Sequence, residues 1–322
     1  MLRKNLGIDI GSRQISICSS DEGLLLREPA VAAVDCDTNE VVAAGNSAQR
    51  LVDANPDRLR LCWPVWDPVV KSADVLSSML RMFIRRAVGR TMLRPQIMVS
   101  IPCDLTESQT NAVEDAVLEA GASRVHLLEA PLCAALGVGI DFSSPVGQLI
   151  VHIGASRTEV AMIFIGEMVT HLTIPVGGVQ FDSAIIQHMR NKHGVFIGKR
   201  TAEQIKIRIG TVAKTAEETH LDVRGRCMNT REPRIITLTS KEMLGAMIEP
   251  LTSVLDAIVA VIEQTGDDMR ADIVKSGIVL TGGGLLDGMD KFLDEVLGVR
   301  VRRAANAETA AVEGAAVALT RL

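Results

Sequence analysis

Gly7-Ile8-Asp9-Ile10-Gly11-Ser12 begins as an apolar strand and ends in glycine. The same change recurs at Leu149-Ile150-Val151-His152-Ile153-Gly154-Ala155-Ser156 and at Ile278-Val279-Leu280-Thr281-Gly282-Gly283-Gly284. In each stretch, small residues after a buried strand let backbone N–H groups approach an anion closely. Three such turns on one chain suggest a phosphate-bearing ligand gripped from several sides. His152 occupies the place parallel to Asp9, so the middle turn has lost the acid that the first keeps.

The elements around these turns repeat. The first half predicts strands at 6–10, 14–19 and 31–34, a polar stretch over 46–67, and a helix over 72–88. A buried strand at 97–101 precedes Thr106-Glu107-Ser108-Gln109, a capping box that opens a helix ended by Gly121. A strand at 125–128 and a small-residue helix at 131–137 follow. The second half predicts strands at 148–153, 158–165 and 169–176 and helices at 181–192 and 201–212. A β-rich insert at 221–238, a long helix at 240–264, a strand at 277–281 and helices at 287–297 and 308–319 complete it. Each half is thus a three-strand meander followed by helix, strand, helix and strand. The expected fold is α/β, with domains over 1–145 (insert about 30–70) and 146–322 (insert about 181–243). Two such halves facing one another would form a cleft lined by the glycine turns.

Composition narrows the function. The 322 residues are 47% hydrophobic and 23% charged, ordinary for a folded soluble chain. A net charge of −5 and 2% aromatic residues argue against a nucleic-acid binder. Six cysteines without a CxxC pair fit reduced thiols in a cytoplasm. His188 and His193 are too far out of phase on a helix to be a ligand pair, and no other cluster reads as a metal site. The uncharged stretch 130–140 is too short to cross a bilayer, and no signal peptide is expected at the N-terminus.

The residues resemble the MreB group of bacterial actins, within the actin, Hsp70 and sugar-kinase superfamily, over nearly the whole length. The resemblance runs in order through Gly7-Ile8-Asp9-Ile10-Gly11, Arg94-Pro95, Ile101-Pro102, Glu119-Ala120-Gly121-Ala122 and Pro131 with Ala134-Ala135. It continues through Thr158-Glu159-Val160-Ala161, Val176-Gly177-Gly178, Asp182, Ile197-Gly198, Arg200-Thr201-Ala202-Glu203-Gln204-Ile205-Lys206 and Gly277 to Gly284.

The resemblance implies an actin-like fold of two RNase H-like halves around a nucleotide cleft, holding ATP or ADP with Mg2+. By it, Gly11, Ser12, Arg13 and Gln14 form the first phosphate hairpin, and Gly154, Ala155, Ser156 and Arg157 the second. Asp9 orders the metal through water. Glu203 and Lys206, one helical turn apart, meet the ribose and purine. Gly282, Gly283 and Gly284 pass under the adenosine.

The departures fall on the chemistry. His152-Ile153-Gly154-Ala155-Ser156-Arg157-Thr158 stands where the family has Asp-Ile-Gly-Gly-Gly-Thr-Thr, and an imidazole cannot replace the metal-ordering acid. Glu129-Ala130 stands for a glutamate pair whose second member polarises the attacking water; alanine accepts no proton. Glu129 is left as a weak candidate base. Arg13 and Arg157 add cations that either face phosphate or point to solvent. His152 is either a satisfied core histidine or the mark of a lost metal site.

Phe83 to Arg94 is the second stretch of interest. Met92 and Leu93, ringed by Arg85, Arg86, Arg90 and Arg94, fit shallow insertion into an anionic leaflet. On the residues alone, a core helix end with solvated arginines fits as well. The resemblance implies the membrane role, and a filament-forming cytoskeletal protein at the inner face of the cytoplasmic membrane, serving cell shape or wall synthesis. Implied partners are copies of itself, other bacterial actins and wall-synthesis membrane proteins. The alternatives are an active ATPase with a substituted base and a specialised scaffold paralog without turnover.

Overall fold

The computed structural model describes residues 4–66, 69–89, 93–213 and 218–321, and the chain divides into two compact units. Met92 and Arg90, singled out above, lie outside the described residues.

Unit 1 comprises residues 1–145, 164–168 and 304–322. Strands β1 (Asn5–Ile10), β2 (Gln14–Ser19) and β3 (Gly23–Pro29) form its antiparallel meander. Next, β4 (Ala32–Asp35), β5 (Val41–Ala44), helix α1 (Asn46–Ala54) and β6 (Leu59–Cys62) build a side sheet ordered β5-β4-β6. A short hairpin of β7 (Val65–Trp66) and β8 (Val69–Val70) leads to α2 (Ala73–Val88), β9 (Gln96–Ile101), α3 (Glu107–Glu119), β10 (Arg124–Glu129) and α4 (Ala130–Gly137). The main sheet runs β10-β9-β1-β2-β3, with β9 parallel to both β1 and β10. Leu76, Met79, Leu80 and Phe83, at helical spacing on α2, are buried in one core with Leu6, Ile8, Ile15 and Ile17 of the sheet. The Thr106 capping box is present on α3, with Gln109 answering it.

Unit 2 comprises residues 146–163 and 169–303. It repeats the meander as β11 (Gln148–Ile153), β12 (Thr158–Phe164) and β13 (Glu167–Ile174). Then come α5 (Gly178–His193), β14 (Val195–Phe196), α6 (Lys199–Ile209), β15 (His220–Cys227), β16 (Pro233–Thr239), α7 (Ser240–Gln264) and α8 (Asp267–Ser276). β17 (Ile278–Thr281), α9 (Met289–Leu297) and β18 (Val301–Arg303) close it. Its sheet is ordered β13-β12-β11-β17-β18, with β17 parallel to β11 and β18. That is the topology of the first sheet, so the duplication read from element order exists in strand order.

Helix α7 is long and apolar enough to cross a membrane by length and composition. Its Met243, Met247, Leu251, Val254, Ile258 and Val261 are buried in the core of unit 2, which makes it a core helix.

Four expectations need correction. The third strand of the first meander is Gly23–Pro29, not 31–34; residues 32–35 are β4, in the side sheet. The stretch 46–67 contains α1 and β6. α8, between the long helix and β17, was not anticipated. The last helix, α10 (Ala310–Ala318), was counted with the second half but belongs to unit 1. The reason is small-residue packing: α10 lies on α4 and β1 so closely that a Cβ on Gly7 would strike the Val312 carbonyl. A Cβ on Gly137 would likewise strike the Ala310 carbonyl, and one on Gly314 the Cys133 carbonyl.

Candidate functional site

The two meanders place equivalent hairpins at their first turns. In unit 1 the Gly11 N–H donates to the Gln14 carbonyl (3.0 Å); in unit 2 the Gly154 N–H donates to the Arg157 carbonyl (2.8 Å). Residues 12–13 and 155–156 therefore form the tips, with Ser12 and Ser156 buried. Arg157 is only 9% exposed, so it is not a solvated cation. Arg13 is half-buried and Gln14 exposed.

Each hairpin follows a strand whose chemistry-bearing residue has a hydroxyl partner in register on the neighbouring parallel strand. Asp9 of β1 pairs with Ser100 of β9. Burial pushes its carboxyl up to about 6, with the Ser100 hydroxyl and the Arg27 cation pulling the other way. At pH 7 most of it is ionised. His152 of β11 pairs with Thr281 of β17, and its Nδ1 lies 3.0 Å from Thr281 Oγ1. The Thr281 hydroxyl also reaches the Val151 carbonyl at 3.3 Å. Burial pushes the imidazole down to about 4, so it is neutral at pH 7. The acid has gone from the second unit, but its hydroxyl neighbour remains.

Around the second hairpin, several predicted residues meet. The Gly284 N–H donates to the Ile153 carbonyl (2.8 Å), and the N–H groups of Gly178 and Val179 donate to the carbonyls of Gly154 (3.0 Å) and Ala155 (2.7 Å). The first turn of α5 thus satisfies part of its orphan N–H set on the hairpin backbone. A Cβ on Gly177 would sit 2.6 Å from the Gly154 carbonyl oxygen, and one on Gly284 would strike the same oxygen. Gly284 is therefore required by the protein's own backbone crossing, a different reason from clearance under a nucleoside.

Lys206 joins this group by its internal bonds. Its Nζ donates to the Gly178 carbonyl (2.8 Å) and pairs with Asp182 Oδ1 (2.8 Å), with Asp182 only 3% exposed. Glu203 stands one turn earlier on α6, half-buried. Glu129 ends β10 and is the residue before α4; Ala130, 6% exposed, is the first helical residue.

Sequence reasoning missed Ser100, Thr281 and the structural part of Gly177. Strand register was the signal for the two hydroxyls, since a parallel neighbour one strand away is not visible from local spacing. The histidines were also misjudged: His188 and His193 both reach Glu242 Oε1, at 2.7 and 2.6 Å. Of the arginines near Leu93, Arg86 is tied to the Ala44 carbonyl at 3.3 Å and lies over the Phe83 ring. Arg85, Arg94 and Leu93 are exposed, Leu93 at 45%.

Residues 3–322 match the MreB/Mbl protein family. The chain is 34% identical to the cell shape-determining protein Mbl of Bacillus subtilis (strain 168), covering 100% of this chain and 97% of that one. It is 35% identical to the cell shape-determining protein MreB of Escherichia coli (strain K12), covering 99% and 94%. Among solved structures, MreB5 of Spiroplasma citri bound to ADP superposes with a TM-score of 0.92 at 26% identity, covering 99% and 97%. The same protein has been solved bound to AMPPNP. With duplicated actin-like sheets and a match that runs from residue 3 to the last, this chain belongs to the MreB/Mbl family of actin-like proteins.

Proposed function

We propose that the chain binds adenine nucleotide, forms filaments at the inner face of the cytoplasmic membrane, and supports cell shape or wall-synthesis organisation with hydrolysis weak or lost. The observation that carries the reading is the pair of in-register positions: Asp9 beside Ser100, ionised, and His152 beside Thr281, neutral. The hairpins that would hold phosphate are built alike in both units, while the donor set for a hydrated cation survives in one only. Nucleotide binding is further supported by the ADP- and AMPPNP-bound relative, and the cellular role by the cell shape-determining relatives.

In this reading, the tips 12–13 and 155–156 hold the phosphates through backbone N–H groups, and Glu203 borders the nucleoside. Lys206 contributes by fixing Gly178 and Asp182. Asp9 would help hold a hydrated Mg2+, which when bound would supply charge neutralisation. His152, neutral and half-buried, adds no negative charge to that site. The titration of ATP in a calorimeter, with and without magnesium, tests this. Binding in both cases, with a small magnesium effect, is expected; a strict magnesium requirement contradicts the weakened site, and no binding contradicts the reading altogether.

The membrane part rests on Leu93 and Met92. Each apolar side chain buried in lipid contributes about 1.5–3 kcal/mol, and each nearby arginine about 1 kcal/mol. One protomer then binds weakly, and a filament carrying many copies binds strongly. Flotation with anionic liposomes, beside pelleting of the same samples, checks it. A Met92→Ser, Leu93→Ser variant should pellet as filaments yet stay at the bottom of the gradient; equal flotation removes the loop from the account.

A further inference from the structure

The geometry points to a divalent transition-metal site, best suited to Zn2+, formed by His188, His193 and Glu242 in unit 2, apart from the residues assigned to nucleotide. His188 and His193 lie in the last turns of α5, and Glu242 in the first turn of α7. Both imidazoles present Nε2 to the same carboxylate oxygen, at 2.7 and 2.6 Å, and their rings meet edge to face with centroids 6.0 Å apart. The three ligand atoms all lie within 4.8 Å of one another, a convergence that a single ion can span.

The chemistry of the donors selects the ion. Two neutral imidazole nitrogens and one carboxylate are ligands for zinc and its d-block neighbours, whereas Mg2+ and Ca2+ take oxygen sets. Tetrahedral zinc, with bonds of about 2.0–2.2 Å, holds its ligand atoms roughly 3.3 Å apart. The two nitrogen–oxygen separations are those of hydrogen bonds, so loss of the shared protons and a side-chain adjustment would admit the metal. The Glu242 backbone is fixed, because its N–H donates to the capping Thr239 hydroxyl at 3.2 Å.

An entry path exists, since the side chains of His188, His193 and Glu242 are 22%, 18% and 12% exposed. The fourth position would take water. Besides Arg234, whose Nη1 donates to the His193 carbonyl at 3.3 Å, one cation opposes the metal directly: Lys192 Nζ sits 3.2 Å from Glu242 Oε1, on a side chain 56% exposed. It can leave for solvent, but its charge must weaken cation binding. The bound ion would staple the end of α5 to the start of α7, across the segment that carries β14, α6, β15 and β16.

The test uses untagged full-length protein stripped with a chelator. Titration with Zn2+ should give one site, and Zn2+ should raise the melting temperature by mass action. His188→Gln and His193→Gln should each lower affinity by at least ~10- to 100-fold, the range seen when even an outer partner of a metal ligand is lost. Lys192→Gln should bind more tightly than the native chain, a change that loss of folding cannot mimic. Co2+ should give visible bands of tetrahedral nitrogen and oxygen ligation without a thiolate charge-transfer band. No stoichiometric binding, indifference to the two histidine changes, or a thiolate band from one of the six cysteines would each overturn the site.

Discussion

Ala130→Glu combined with His152→Asp should raise phosphate release from ATP about 10²- to 10⁴-fold over the native chain, the usual worth of a positioned proton acceptor. Residue 130 opens α4, where the unpaired N–H groups of a helix start favour a carboxylate, although the site is buried. At residue 152 the new aspartate would meet the Thr281 hydroxyl that His152 now uses. At the twin position burial raises Asp9 to about 6 even with the Ser100 hydroxyl and the Arg27 cation pulling the other way. An aspartate at 152 is expected to share in ordering a hydrated metal, whose charge favours the ionised carboxylate. Each single change should give less than the pair, because the base and the metal act on the same step. The reading of lost chemistry fails if the native protein already releases phosphate as fast as the double variant.

The largest effect on stability is expected at Gly314. Gly314→Val should destabilise unit 1 by about 3 kcal/mol or more, the upper end for overpacking a tight contact. A Cβ there meets the Cys133 carbonyl and the Gly137 nitrogen, which are backbone atoms of a neighbouring helix and cannot rotate away. α10 and α4 would have to separate, uncovering Met98, Leu136 and Ala315. A shift of roughly 2–4 °C per kcal/mol for a unit of this size makes the loss readable by calorimetry. Gly245→Ala supplies the opposite sign. Gly245 is an exposed interior residue of α7 with nothing within 4 Å of an added Cβ, so alanine should stabilise by about 0.5–1 kcal/mol. Equal melting of Gly314→Val and the native chain would show that the helices are not packed this closely.

Much of the architecture was legible because local signals agreed. The long helix was predicted over 240–264, and α7 has those bounds; the Thr106 box opened α3 where its chemistry requires. The error in the first meander has a physical cause. β3 contains Leu24, Leu25 and Leu26 but is largely open to solvent, so its pattern lacks the clean alternation of a half-buried strand. The buried run at 32–35 mimicked a central strand while belonging to a smaller sheet. α1 was hidden because only Ala48 of its nine residues is buried.

At the site, the hairpin glycines were readable from sequence, and the relations between strands were not. Nothing in the spacing of Asp9 and Ser100 announces that they share a register. The histidine pair shows the limit of helical phase as a guide. Positions five apart are about 140° from one another around a helix, which argues against a shared ion. Here a third side chain from another helix, 54 residues from His188, draws the two rings together.

The assignment of α10 to unit 1 carries a consequence for biogenesis. Strands β1, β2 and β3 are translated long before α10, the helix that closes their core. Unit 2, by contrast, has nearly all its sequence between residues 146 and 303. Unit 2 can therefore fold without the last helix, whereas the β1 sheet needs it to cover Gly7 and the α4 face. A released chain that stops short of residue 310 should therefore show a half-built unit 1 beside a folded unit 2.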